Sequence, residues 1–158
     1  MDDLARWTQS LPAAWTEGCG EALFRAAHEC YQSPGRVYHS WNHLLDCADK
    51  LRTFSCDSSQ EVFLALLFHD AIYVVGSPTN EERSAAEAKR LLEIHSSIGP
   101  AQIGRISQYI LATRDHRLPP GESPGDLQVT LDIDMSILGA APDVYRDYAS
   151  GVRREYCH

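Results

Sequence analysis

The segment from Val62 to Val75 reads VFLALLFHDAIYVV, and apart from one histidine and one aspartate it is apolar throughout. A helix with no polar face has to be enclosed on all sides, so this segment is expected at the centre of a bundle. His69 and Asp70 stand at its end. Burying an imidazole and a carboxylate there costs free energy unless something compensates them. A metal ion would do so, and imidazole with carboxylate suits a divalent cation such as manganese, iron, cobalt, nickel, zinc or magnesium. The pair also suits a plain capped helix end, so it does not decide the matter alone.

The rest of the chain reads as further helices, with no internal repeat and no low-complexity tract. Glu21 to Gln32 carries a helical stripe of Ala22, Leu23, Ala26, Ala27 and Cys30, and Ser33-Pro34-Gly35 stops it. A second helix is expected from about Ser40 to Phe54. Ser58 to Glu61 has the pattern of a capping box opening the apolar helix Val62 to Ile72. Gly76 to Thr79 makes a loop, and Asn80 fits the N-cap of a helix from Glu81 to His95. Pro100 opens another to about Arg114, and Pro119 to Gly125 is an irregular connection. A shorter helix covers Leu127 to Leu138, and Pro142 starts the last, through Tyr156. Leu127 to Ile133 is rich in strand-forming residues but has no partner strand. The expectation is an all-α, single-domain bundle of about six to seven helices spanning residues 1–158.

A chain of 158 residues can bury one substantial core. Its net charge of -8 repels a polyanionic backbone, which argues against bulk nucleic-acid binding. A small phosphorylated substrate remains compatible, because a bound cation reverses the field locally. No apolar run reaches the roughly 18 residues of a membrane span. The acidic start, Met1-Asp2-Asp3, leads into no signal-peptide stretch. The five cysteines are scattered and form no CxxC pair, which speaks against a disulfide framework and a thiolate zinc site. They read as free thiols in a reducing compartment, with the cytoplasm as the expected location. Trp7, Trp15 and Trp41 suit either a core or an interface, and the oligomeric state stays open.

Two further segments carry polar groups suited to a site. Tyr38-His39-Ser40-Trp41-Asn42-His43 sets two histidines four apart, on one helix face if the helix has begun by His39. The glutamate that a zinc protease needs after the first histidine is absent, Ser40 standing there. One histidine reads as a ligand and the other, His39, as a hydrogen-bonding neighbour. In Leu131 to Leu138, Asp132 and Asp134 are two apart and cannot share a helix face. Asp134, followed by Ile137 and Leu138 at helical spacing, is the one expected to point inward.

A histidine, a His-Asp pair and a distant aspartate, each on its own helix, resemble the HD superfamily of metal-dependent phosphohydrolases. The chain is similar above all to one subfamily of predicted HD phosphohydrolases. Its blocks run through PGRVYHSWNH at 34–43, LALLFHDAIY at 64–73 and NEERSA at 80–85, then ILATRDH at 110–116, LDIDMSILG at 131–139 and YRDYASGVRREY at 145–156. The resemblance covers 34–156 and implies an HD-type bundle with His43, His69, Asp70 and Asp134 as metal ligands. His43 is favoured over His39 because Cys47-Ala48 falls where the family helix carries small apolar residues. Members of the subfamily continue past the last block, so their C-terminal helices are expected to be missing here.

The function implied is hydrolysis of a phosphoester or phosphoanhydride, in a nucleotide or another small phosphorylated compound, by a metal-activated water. Asp70 doubles as proton acceptor, and Glu81 is implied to orient a water or an outer group of the site. His116 is similar to a further histidine that some HD proteins place near a second metal or the phosphate. Arg36 and Arg83 are candidates for phosphate contact. A reading of another class is an HD-type module that binds metal and nucleotide without turnover; a third is a helical protein with no metal.

Overall fold

A computed structural model of the chain describes residues 3–121 and 125–157; the acidic start at Met1 and Asp2, Pro124 in the irregular connection, and His158 lie outside the described residues. The helices, in order, are α1 (Asp3–Ser10), α2 (Ala13–Thr16), α3 (Glu21–Cys30), α4 (Trp41–Leu51), α5 (Ser59–Phe68), α6 (Asn80–His95), α7 (Pro100–Ala112), α8 (Asp126–Asp134) and α9 (Pro142–Glu155). A 3-10 turn, Met135–Gly139, prolongs α8. No strand occurs among the described residues, and the strand-forming stretch Leu127 to Ile133 is helical, with Leu127, Leu131 and Ile133 turned into the core. The chain is therefore all-α. Among the described residues seven helices run from Glu21 onward, as the sequence suggests, and the amphipathic α1 and the short α2 precede them.

The apolar segment is the axis of the fold. Every residue of α5 from Glu61 to Phe68 is buried, and the helix packs against α2, α4, α6, α7 and α8. Enclosure on all sides is what its composition requires. At its N-terminal end Phe63 is the hub of an aromatic cluster. The Trp15 ring stacks on it at 5.2 Å, and Trp7 and Phe24 lie tilted against it at 6.3 and 6.4 Å. Trp41 meets Trp7 edge-on at 5.1 Å, so all three tryptophans serve the interior. The short N-terminal helices exist to cap this end of α5.

Two local expectations are corrected. Ser58 makes no side-chain cap bond, and Glu61 does not reach back as a capping box requires. Enclosed by α7, Glu61 is only 3% exposed and takes both Nε and an Nη of Arg105 at 2.8 and 2.6 Å. A carboxylate left unpaired in that position would carry a large desolvation cost. The Ser58 N–H is instead satisfied by Asp126 Oδ2 at 2.7 Å. Asn80 does not cap α6 either. It lies inside the helix, buried, and its amide clasps both the N–H and the C=O of Val74 at 3.0 and 2.9 Å.

Phe63→Ala removes the centre of the aromatic cluster, and truncating a fully buried Phe costs about 3–5 kcal/mol. The expected outcome in thermal unfolding is a fall in Tm of roughly 6–20 °C, well beyond that of an exposed control such as Phe54→Ala.

Candidate metal centre

α5 stops at Phe68, and His69 and Asp70 form the turn that follows. That turn is held by its backbone. The Arg36 guanidinium donates to the carbonyls of His39, Asp70 and Ala71 at 2.8, 2.8 and 2.9 Å. Ser84, on the buried face of α6, bonds both the N–H and the C=O of Ile72 at 3.0 and 3.1 Å. Asn80 and Ser84, four apart on one helix face, thus splice 72–74 onto α6. The His-Asp turn is fixed from two directions.

Three elements bring their polar side chains to this turn. His43 comes from the first turn of α4, His69 from the end of α5 and Asp134 from the end of α8. His43 Nε2 lies 3.3 Å from His69 Nε2 and 3.1 Å from Asp134 Oδ1, and His69 Nε2 is 3.3 Å from that same oxygen. One donor atom from each of the three falls within 4.8 Å of the others, a spacing that can hold a metal ion. Asp70 joins through His69, its Oδ2 3.0 Å from the same Nε2. His116 reaches the other oxygen of Asp134, Nε2 to Oδ2 at 2.9 Å. It does so from a left-handed backbone, φ 49°, the one positive φ at a residue other than glycine among the described residues. A conformation costing of order 1–3 kcal/mol persists only where the surroundings impose it.

The donor set fits a cation. His69 Nδ1 is 2.8 Å from the Leu66 carbonyl, which can only accept, so Nδ1 carries a hydrogen. Its Nε2 then faces two carboxylates and a second imidazole, an environment rich in acceptors. Either an additional proton or a metal ion must stand there. Burial disfavours the charged form of His69, but the carboxylates of Asp70 and Asp134 override it and hold its pKa well above the ordinary value. Burial likewise works against ionised Asp70, yet the charge of His69 holds its carboxyl at about 2. Asp134, also buried, is kept well below the usual carboxylate range by His69 and by hydrogen bonds from His116 and His43. Cys47 lies beside the cluster, its Sγ 3.8 Å from His43 Nε2, and burial pushes its thiol well up.

The cluster opens on a cleft of about 440 Å³ that takes in His69, Asp70, Asp134, His116, Glu81 and Arg114. His43 lines a neighbouring cavity of about 290 Å³, separated from the first by Tyr38 and Tyr148. Glu81 lies 3.7 Å from Arg114, which also pairs closely with Glu82. Of the two arginines suggested for phosphate contact, Arg36 is corrected outright: its guanidinium is committed to backbone carbonyls. Arg83 is exposed and does not line the cleft. Asp132 points outward to Gln128, leaving Asp134 as the inward acid. His39 precedes α4, which starts at Trp41, so it shares no helix face with His43.

His39 is instead held by Glu155, a residue that the sequence reading passed over. Glu155 is 2% exposed; its Oε1 accepts the N–H groups of Val37, Tyr38 and His39 at 2.7, 2.8 and 3.0 Å, and Oε2 meets His39 Nδ1 at 2.7 Å. Gly151, one turn earlier, permits the approach, since a Cβ there would come within 3.3 Å of Tyr38 Cβ. The available signal was the helical spacing of Tyr148, Gly151, Val152 and Glu155. Comparisons with protein-family models, with curated proteins and with solved structures return no match.

Burial works against the charge of Glu155, but His39 and the backbone N–H groups outweigh it and hold the pKa at about 2, against an ordinary 4.5. A depressed carboxylate stabilises the fold fully above its unfolded value, and that stabilisation fades as pH falls through the folded one. The stability gap between the unchanged protein and Glu155→Gln, read by thermal unfolding, is expected to be constant near neutrality and to close between pH 4.5 and about 2.

Proposed function

We propose that this chain is a metal-dependent phosphohydrolase that cleaves a phosphoester or phosphoanhydride of a small compound. The observation that carries the reading is the convergence of His43, His69 and Asp134 within 4.8 Å, with His69 and Asp134 reaching a cleft that Asp70 and His116 also line. The resemblance of the sequence blocks to HD phosphohydrolases supports it, since those blocks contain these residues. No helix among the described residues is long and apolar enough to cross a membrane.

His43, His69 and Asp134 would hold the ion, with Asp70 as a fourth ligand beside them. A divalent cation bound there supplies Lewis-acid chemistry, stabilising charge on phosphoryl oxygens and acidifying the attacking water. The protein's own part is proton handling and orientation. Asp70, lining the cleft beside His69, is placed to accept the proton of the attacking water at a carboxylate oxygen. His116, donating to Asp134 Oδ2, steadies that carboxylate and faces the same cleft. Glu81 keeps Arg114 at the wall, where its guanidinium can meet a phosphoryl oxygen.

Elemental analysis of the purified chain is expected to find a stoichiometric divalent metal that Asp134→Ala lacks. Because His69 holds an added proton when no metal is present, metal uptake at neutral pH should release protons, measurable by calorimetry in buffers of different ionisation enthalpy. In a phosphate-release assay with manganese, Asp70→Asn should lower kcat by roughly 10²–10⁴-fold. Undiminished activity in that variant would overturn the assignment. Bound metal with no phosphate released from any compound would replace it by a binding module.

A further inference from the structure

The two walls of the cleft differ in kind. One is aromatic: Tyr38 from the segment before α4 and Tyr73 from the segment after α5, with Tyr148 and Tyr156 from α9 and its end. The other is polar, made by Ser77, Asn80 and Glu81 at the start of α6 with Thr113, Arg114 and His116 after α7. Several of the rings are already engaged. Tyr73 stacks on His39 at 4.1 Å and 23°, and Tyr38 meets Tyr148 edge-on at 4.6 Å. Tyr156 shares a side-chain hydrogen bond with Tyr73 but remains 59% exposed at the mouth of a concave site. A large ring in that position offers a face to a planar ligand, and such stacking tolerates many ring types.

Charge sets the other limit. Asp70, Asp134 and Glu81 line the cleft, against Arg114 as its one arginine or lysine among the described residues. That guanidinium is itself shared between Glu81 and Glu82. Sites that cradle chains of phosphates supply several cationic or N–H partners for the spread of negative charge. Here one divalent ion with one shared arginine matches a single phosphate, and a second or third phosphate would face carboxylates.

We infer that the cleft, on the reading that it is a phosphohydrolase site, takes a singly phosphorylated compound bearing a flat aromatic ring, the phosphate at the His-Asp floor and the ring against Tyr156. Hydrolysis breaks the bond from phosphorus to the ester oxygen. Water supplies the oxygen that stays on phosphate, and its proton ends on the departing alcohol. A nucleoside monophosphate and a simple aryl phosphate both have this chemistry. The cleft volume of about 440 Å³ lies in the range of pockets that enclose a small ligand.

The test is calorimetric binding to the manganese-loaded chain, with adenosine 5'-monophosphate, phenyl phosphate, ribose 5-phosphate and adenosine 5'-triphosphate, manganese being kept in excess of nucleotide. The ring-bearing monophosphates should bind about tenfold tighter than ribose 5-phosphate, and the triphosphate more weakly than the monophosphate. Whichever of the two ring compounds binds tighter identifies the source of the ring. Tyr156→Ala should remove about tenfold of the adenosine monophosphate affinity, and Tyr156→Phe should keep it, because stacking uses the ring and not the hydroxyl. Equal affinity for ribose 5-phosphate, preference for the triphosphate, or no binding at all would overturn the inference. Phosphate release from the same compounds separates the two claims. Ring-dependent binding without release ends the hydrolase reading and keeps the ring site, whereas equal release from ribose 5-phosphate does the reverse.

Discussion

The fold is organised around an excess of hydrogen-bond acceptors at one point. Nε2 of His69 faces Asp70, Asp134 and His43 at 3.0 to 3.3 Å, and its other nitrogen is already committed to a carbonyl. Such a cluster is stable only with positive charge at its centre, whether an additional proton or a cation. Everything that surrounds α5 can be understood as holding these groups together despite their mutual repulsion. The aromatic cluster around Phe63 anchors one end of the helix, and the polar cluster occupies the other.

The supporting bonds share a pattern: side chains gripping backbone. Arg36 binds three carbonyls, Asn80 and Ser84 each bind both polar groups of one residue, and Glu155 takes three consecutive N–H groups. Irregular backbone beside a buried site has no helix ladder to satisfy its polar groups, so side chains must do it. The consequence is that His69 and Asp70 sit on a short, rigidly tied segment between helices, not on a free loop, facing His43 and Asp134 at helix ends. That rigidity is what pre-organised electrostatics needs.

Much of this was legible in the sequence, for identifiable reasons. The all-apolar run announced a central helix because no other placement hides it. Asp134 could be preferred to Asp132 because helical geometry forbids both from facing inward. His69 stood out as a polar residue on an apolar helix, and the resemblance of the blocks linked it to His43. What stayed hidden depends on distance in space. Glu61 looked like a cap because the sequence cannot show that α7 brings Arg105 against it. Arg36 looked like a phosphate ligand because nothing local reveals three carbonyls 3 to 35 positions away. Asn80 has the composition of a cap, and only the return of residues 72–74 alongside α6 gives its amide better partners.

The grip of Glu155 on residues 37–39 joins parts of the chain 116 to 118 positions apart. Of α9, only Gly151 and Glu155 are buried, so the helix is tied down by polar bonds more than by greasy contact. Elements of that kind open at a lower free energy than the core does. During synthesis, the hydrophobic nucleus around α5 can therefore assemble while the histidine loop still waits for its clasp. The loop at 37–39 is thus closed by a residue translated more than a hundred positions after it, once the nucleus it borders can already be in place.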